Sequence, residues 1–127
     1  NQMSSVLKNT FYTVSGLSTT DNSVKALISI NPTHDVFKGH FPQMPVVPGV
    51  CQLQIIKDLL EEVSGTSLMM TNGDNIKFTG MILPDKNPTV NLEMTYTKNE
   101  TGFVVDAKLF FEETVFTKHK GKYKTLN

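Results

Sequence analysis

Alternating apolar and polar residues mark several stretches of the chain as half-buried strands. The alternation is cleanest over residues 90–96 and 103–111, and the turn residues at 99–102 separate these two stretches. A two-residue period places the apolar side chains on one face of a strand, so this region predicts an antiparallel hairpin. The same pattern predicts further strands over 24–30 and 115–123 and weaker ones over 10–17 and 75–83.

One segment has a helical period instead. Its apolar positions are Val50, Leu53, Ile55, Ile56, Leu59, Leu60 and Val63. Pro48 and Gly49 are suited to opening a helix and Gly65 to ending it, so the segment predicts a helix over 48–64. A helix that is apolar on most sides has to be enclosed, and the predicted strands are the available cover. The sequence therefore predicts an α+β domain whose antiparallel sheet curls around one helix.

Length and composition narrow the class of protein. A chain of 127 residues predicts a single domain over 1–127. Twelve basic residues balance twelve acidic ones, which gives no global charge for nucleic acid or an anionic membrane. No apolar run approaches the roughly 20 residues of a membrane span. Cys51 is the single cysteine, which favours a reducing cytoplasm and a place in the core, and no spacing of His, Cys and carboxylates predicts a metal site.

The connection before the helix carries candidate chemistry. Residues 39–50 read GHFPQMPVVPGV, and three prolines make this segment a rigid loop. A rigid loop can hold His40 as a base near neutral pH. Gly49 allows close approach to the helix N-terminus, where unpaired amides favour a polarised carbonyl oxygen. The alternative is that His40 is an ordinary loop histidine with its hydrogen bonds satisfied.

A family resemblance bears on this choice. The run HDVFKGHFPQMPVVPGVCQL at 34–53 resembles the signature of the hotdog-fold 3-hydroxyacyl-[acyl carrier protein] dehydratases. The positions in register are His40, Phe41, Pro42, Pro45, Pro48 and Gly49. Downstream, NIKFTGMILPDKNPTVNLEMTY is similar to the next two strands of that family. The start of the signature and the pair Gln52-Leu53 resemble dehydratases of aryl-polyene and flexirubin-type pigment pathways.

The resemblance implies a mechanism without a cofactor. His40 would be the general base that removes a proton from C2 of a 3-hydroxyacyl thioester, carried by acyl carrier protein or CoA. The Gly49 amide would hold the thioester carbonyl oxygen as it gains charge. The substrate-binding residues implied are Phe41, Pro48, Val50 and Gln52, although Gln52 could equally lie at a dimer seam or be a partly exposed helix residue.

Position 54 departs from the family pattern. The family has Glu or Asp 14 residues after the histidine, whereas this chain has Gln54. An amide can hydrogen-bond to the leaving hydroxyl but cannot protonate it as a carboxylic acid does. Three accounts follow: His40 performs both proton transfers while Gln54 orients the hydroxyl, Asp58 one helical turn later supplies the acid, or a partner subunit supplies it. A purely structural alternative makes Gln54 a buried amide between subunits.

Two classes of function therefore remain. The first is dehydration of a 3-hydroxyacyl thioester in fatty acid or pigment-type acyl-chain synthesis, with a hotdog thioesterase as a related case. The second is a non-catalytic acyl-thioester-binding or partner subunit. The resemblance implies a site shared between subunits, so we expect a homodimer or a dimer of dimers, or else a heterodimer.

A row of lysines adds one question about partners. Lys118, Lys120, Lys122 and Lys124 share one parity, so in a strand they project from one face. Such a row could steer an acidic acyl carrier protein towards the substrate tunnel. The alternative is a solvated edge strand that lysines protect from aggregation.

Overall fold

The structure, a computed structural model, describes residues 7–38 and 45–126. Two strands come first, then a short 3-10 helix at Asp35–Lys38, one α-helix, and four more strands. The strands are β1 (Tyr12–Thr20), β2 (Ser23–Ile30), β3 (Leu68–Phe78), β4 (Thr89–Lys98), β5 (Gly102–Phe111) and β6 (Thr114–Thr125). The helix α1 covers Gly49–Ser64. This order confirms the predicted α+β arrangement.

The six strands of the described residues form one antiparallel sheet in the order β1-β2-β4-β5-β6-β3. Strands β1 and β3 are the two edges. The predicted hairpin of β4 and β5 is present, with Leu92 opposite Leu109 on the inner face. Strand β6 lies between β5 and β3, so the interpretation of its lysines as an edge-strand device is wrong.

Strand β3 differs most from its predicted bounds of 75–83. It begins at Leu68 and ends at Phe78. The amides of Thr79 and Gly80 then both donate hydrogen bonds to the Phe116 carbonyl. The early part of the strand contains the polar run TNGD, which hides its period, and its pairing with β6 has two irregularities between Met70 and Asn75. Pairing with β6, rather than a local sequence pattern, therefore determines the bounds of this strand.

The helix has the predicted position and end. Pro48 is its extended N-cap residue, and Gly65 follows its last turn in the left-handed conformation with φ of 73°, which glycine adopts without steric cost. Ile55, Ile56, Leu59 and Leu60 are buried against the sheet. Cys51 is also buried, as predicted, and burial raises the pKa of its thiol. Enclosure is incomplete, however, because Val50 at the first turn is 72% exposed.

Candidate functional site

The described part of the predicted site is the start of α1. His40 and Phe41, predicted as the base and as a substrate contact, lie outside the described residues, so their positions stay predictions. Pro48, Gly49, Val50, Gln52 and Gln54 are described. The geometry below is therefore that of the helix and of the strands around it.

The chain enters the helix along a fixed path. The Val47 amide donates a hydrogen bond to the Ile82 carbonyl at 2.9 Å, and Gln52 Nε2 donates to the Val47 carbonyl at 3.2 Å. These bonds hold the residues immediately before Gly49. The first amides of a helix have no carbonyl partner within it, so the held segment presents donors at a defined place.

Gly49 lies against an aromatic ring. A Cβ placed on Gly49 would stand 2.7 Å from Cζ of Phe78, closer than side-chain carbons pack. Phe78 is the last residue of β3 and is 51% exposed. A larger residue at position 49 would push this ring aside, so with glycine here Phe78 packs closely and forms one wall beside the helix N-terminus.

Gln54 lines a cleft between the helix and the β3 side of the sheet. The cleft has a volume of about 290 Å³ and is bounded also by Val50, Leu53, Lys57, Met69, Met70 and Tyr123. Its walls are mostly apolar with a few polar groups, which is typical of small-molecule sites. The structure therefore brings Val50 and Gln54 to one cleft, and their roles in binding and catalysis stay predictions.

The amide of Gln54 is tied to a buried carboxylate. Gln54 Nε2 donates to Asp58 Oδ1 at 2.8 Å, and the Tyr12 hydroxyl donates to Asp58 Oδ2 at 2.6 Å. Burial and then Asp58 raise the pKa of the Tyr12 phenol above its ordinary value, which keeps this donor protonated. Among the described residues, those lining the cleft do not include Asp58, which borders a separate depression beside Glu62.

Gln52 requires a correction. It is 3% exposed, so the interpretation as a partly exposed helix residue is wrong. Its Nε2 contacts Val47 as described, and its Oε1 accepts a hydrogen bond from the Thr117 hydroxyl on β6. Both ends of the amide are thus bonded within the fold, and Gln52 ties the helix start to the sheet instead of presenting its amide to a substrate.

Two polar residues near the cleft were not singled out from the sequence. His119 is fully buried on the inner face of β6, and its Nε2 lies 2.9 Å from the Tyr123 hydroxyl. Burial lowers the pKa of His119, with the backbone of Asn75 acting in the opposite direction, and burial raises the pKa of Tyr123 to about 12. In the sequence, His119 alternates with the lysines of β6 and so lies on the opposite face of the strand from them. This alternation was the signal available in the sequence.

The described ranges contain neither a candidate metal site nor a candidate membrane-spanning helix. Across residues 7–38 and 45–126, no group of three or more His, Cys, Asp or Glu side chains is arranged to hold a metal ion. Nor is any helix of these ranges long and apolar enough to cross a membrane.

A sheet of this strand order around one central helix is the hotdog fold. A model of the ApeI-like family, ApeI dehydratase, matches residues 17–118. The chain therefore belongs to the ApeI-like dehydratase family.

Curated relatives agree with this class. The chain is 33% identical over 73 residues to the 3-hydroxyacyl-[acyl-carrier-protein] dehydratase FabZ of Macrococcus caseolyticus, covering 52% of this chain and 50% of the relative. It is 28% identical over 102 residues to the enzyme of the same name from Clostridium perfringens, covering 71% and 73%. The chain thus spans about half the length of the first of these relatives.

Solved structures show the same fold. The dehydratase heterocomplex ApeI:P from Xenorhabdus doucetiae superposes with a TM-score of 0.74 at 18% identity, covering 87% of this chain and 96% of that one. An uncharacterized protein from Erwinia carotovora superposes with a TM-score of 0.66 at 23% identity, covering 89% and 93%.

Proposed function

We propose that this chain dehydrates a 3-hydroxyacyl thioester to the 2-enoyl thioester, with acyl carrier protein or CoA as the carrier. The observation that carries the proposal is the helix start. There the held Val47–Gly49 segment presents helix-terminal amides beside the Phe78 ring, and Gln54 faces a largely apolar cleft on the same helix. Membership of a dehydratase family and similarity to enzymes named for acyl-carrier-protein substrates support the same reaction.

The reaction divides between three residues. His40 takes the C2 proton, and the Gly49 amide stabilises the carbonyl oxygen as it gains negative charge. Gln54 then hydrogen-bonds the C3 hydroxyl, which leaves as water after receiving a proton from His40. This account is favoured over an acid role for Asp58, because Gln54 stands between Asp58 and the cleft.

Assembly is part of the proposal. Strand β3 pairs on one side with β6 and forms an edge of the sheet, and exposed apolar side chains lie near that edge at Met69 and Phe78. An edge of this kind favours pairing with a second copy, which would join two sheets and cover the cleft. We therefore propose a dimer through β3, and light scattering that finds only monomer at micromolar concentration contradicts it.

A second candidate is a partner subunit that binds the acyl thioester without acting alone. Two points favour it: the resemblance to 3-hydroxyacyl-[acyl carrier protein] dehydratases implies an acid at the position of Gln54, where this chain has an amide, and the ApeI:P structure is a heterocomplex. In this case the acid comes from another chain. The cytoplasmic location stays a prediction of the sequence.

One assay separates these functions. The pure chain is incubated with a 2-enoyl thioester, and the 3-hydroxy product and the free thiol are both followed. Hydration supports the dehydratase, thiol release supports a thioesterase, and neither supports the partner subunit.

The control variant is His40→Ala. We expect it to abolish hydration with little change in Tm, because a rigid-loop base contributes little to the core. Unchanged hydration would remove His40 from the mechanism.

A further inference from the structure

Asp58 is a buried carboxylate that the proposed reaction does not use. It is 6% exposed and lies one helical turn after Gln54. Burying a carboxylate is costly unless hydrogen bonds replace its hydration. Here each oxygen has its own donor, the Gln54 amide on the helix and the Tyr12 hydroxyl on β1.

These two bonds restrict the orientation of the Gln54 amide. A primary amide has a donor end and an acceptor end, and both oxygens of Asp58 accept hydrogen bonds here. Asp58 therefore selects the orientation in which Gln54 Nε2 points to Asp58 and Gln54 Oε1 points away from it. Tyr12 occupies the other carboxylate oxygen and is 1% exposed, so the carboxylate itself is held in place.

We propose that Asp58 and Tyr12 are positioning residues that make Gln54 a hydrogen-bond acceptor at the cleft. This rests on the proposed dehydratase function. Gln54 Oε1 then accepts a hydrogen bond from the C3 hydroxyl of the substrate and fixes its direction. The C2–H and C3–O bonds break, the C2=C3 double bond forms, and the hydroxyl leaves as water with the proton that His40 took from C2. Gln54 is unchanged by the reaction.

The first test reads the orientation directly and needs no activity. The chain has four glutamines, so selective ¹⁵N labelling gives few side-chain amide signals, and the signal missing in Gln54→Met identifies Gln54. In Asp58→Asn we expect the Gln54 signal to move strongly, because an amide at 58 can donate as well as accept. Tyr12→Phe keeps the ring and removes only the hydroxyl, and we expect a smaller shift in the same direction.

The second test reads the consequence for turnover. Displacement of a group that positions the substrate lowers reaction rates by up to about 100-fold. We therefore expect Asp58→Asn to lower kcat by about 10- to 100-fold with KM nearly unchanged. Tyr12→Phe should lower kcat less. The matched control is Glu62→Gln, the same kind of change one turn further along the helix at an exposed residue that contacts Lys8, and it should leave kcat as in the native chain.

The double variant Gln54→Glu/Asp58→Asn exchanges the carboxyl and the amide. The hydrogen bond between positions 54 and 58 is kept with its direction reversed, so kcat should exceed that of Asp58→Asn and that of Gln54→Glu, which has the acid at position 54 without the restored hydrogen bond. No recovery, with both single variants folded, contradicts the pairing.

The outcomes distinguish the two proposals. In one outcome, the Gln54 signal depends on Asp58 in a chain that never hydrates enoyl thioesters. That result supports the positioning of Gln54 by Asp58 and contradicts the proposed dehydratase function. A Gln54 signal that is the same in native chain, Asp58→Asn and Tyr12→Phe overturns the positioning, whatever the activity.

Discussion

The two faces of strand β6 use their polar residues in opposite ways. Facing the helix, Thr117, His119 and Tyr123 are buried and each bonds a particular partner. Facing outward, the strand carries its four lysines, all exposed. Thr117 contacts the start of the helix through Gln52, and Tyr123 forms part of the cleft wall.

The outer face has the opposite electrostatic character. Lys118 lies directly between Lys77 on β3 and Lys108 on β5, and the next positions in that row are Glu93 and Lys25. Like charges opposite one another in a sheet are destabilising, and the Lys108–Glu93 ion pair at 3.7 Å offsets this only in part. The balanced charge of the whole chain therefore conceals a positive surface. Polar groups on the inner face hydrogen-bond to the helix or to one another, whereas on the outer face like charges lie opposite one another.

The largest expected effect comes from breaking an inner-face contact. Thr117→Val keeps the shape of the side chain but leaves Gln52 Oε1 buried without this donor. We expect it to lower the free energy of unfolding by about 1 to 3 kcal/mol, measured by urea titration.

The matched control removes both partners. Gln52→Leu/Thr117→Val should cost less than the sum of the two single changes, because no unpaired acceptor remains between the helix and β6. Strict additivity would mean that this hydrogen bond does not tie the helix to the sheet.

The sequence predicted the fold well where apolar period and turn residues agree. Residues 90–111 and the helix combine strong periods with Gly65 or the 99–102 turn, and both have the predicted form. The start of β3 was missed because TNGD has no apolar period, and β6 was given an edge role because strand order depends on long-range pairing. Neither feature has a local signal.

Helical spacing predicted which candidate residues of α1 lie together, but not which strands they contact. Val50 and Gln54 do share a cleft, and Asp58 does lie beside Gln54, as helical spacing requires. The burial of Gln52 and the bond from Tyr12 to Asp58 were not foreseen, since each joins the helix to a strand distant in sequence. Local spacing cannot specify such contacts.

A second inner-face effect depends on pH. Burial lowers the pKa of His119 below its ordinary value of 6.5, and the adjacent Tyr123 is uncharged. Above pH 6.5 neither the folded nor the unfolded chain binds this proton, so the contribution is fully present. As pH falls below 6.5 the unfolded chain binds the proton first, so stability falls towards the lower folded pKa.

The comparison with His119→Gln isolates this contribution. Unfolding free energies of both chains are measured between pH 8 and pH 5, and we expect the native chain to lose more stability on acidification. Parallel curves for the two chains would mean that His119 carries the same proton affinity folded and unfolded.

The outer face should respond in the opposite direction and more weakly. Lys118→Glu places an acid between Lys77 and Lys108, so two like-charge pairs become opposite-charge pairs. We expect unfolding to require about 0.5 kcal/mol more at low salt, and the gain should shrink in high salt. Lys124→Glu is the control, because Met69 and Gly102 lie opposite it. Equal gains in both variants would contradict a local like-charge cost.

The smallest expected effect concerns the predicted steering of a carrier protein by the lysine row. Lys120 projects from the outer face, on the side of the sheet away from the helix, whereas Lys57 lines the cleft beside Gln54. A charge near the cleft acts on a docked carrier at short range, and a charge on the opposite face of the sheet is screened by salt.

We expect Lys57→Glu to weaken acyl carrier protein binding by about two- to fivefold at low salt, the size of an exposed ion pair. For Lys120→Glu we expect less than about a twofold change. Isothermal titration at two salt concentrations measures both. A larger loss in Lys120→Glu than in Lys57→Glu would place the carrier on the outer face and restore a function to the lysines that the fold alone does not explain.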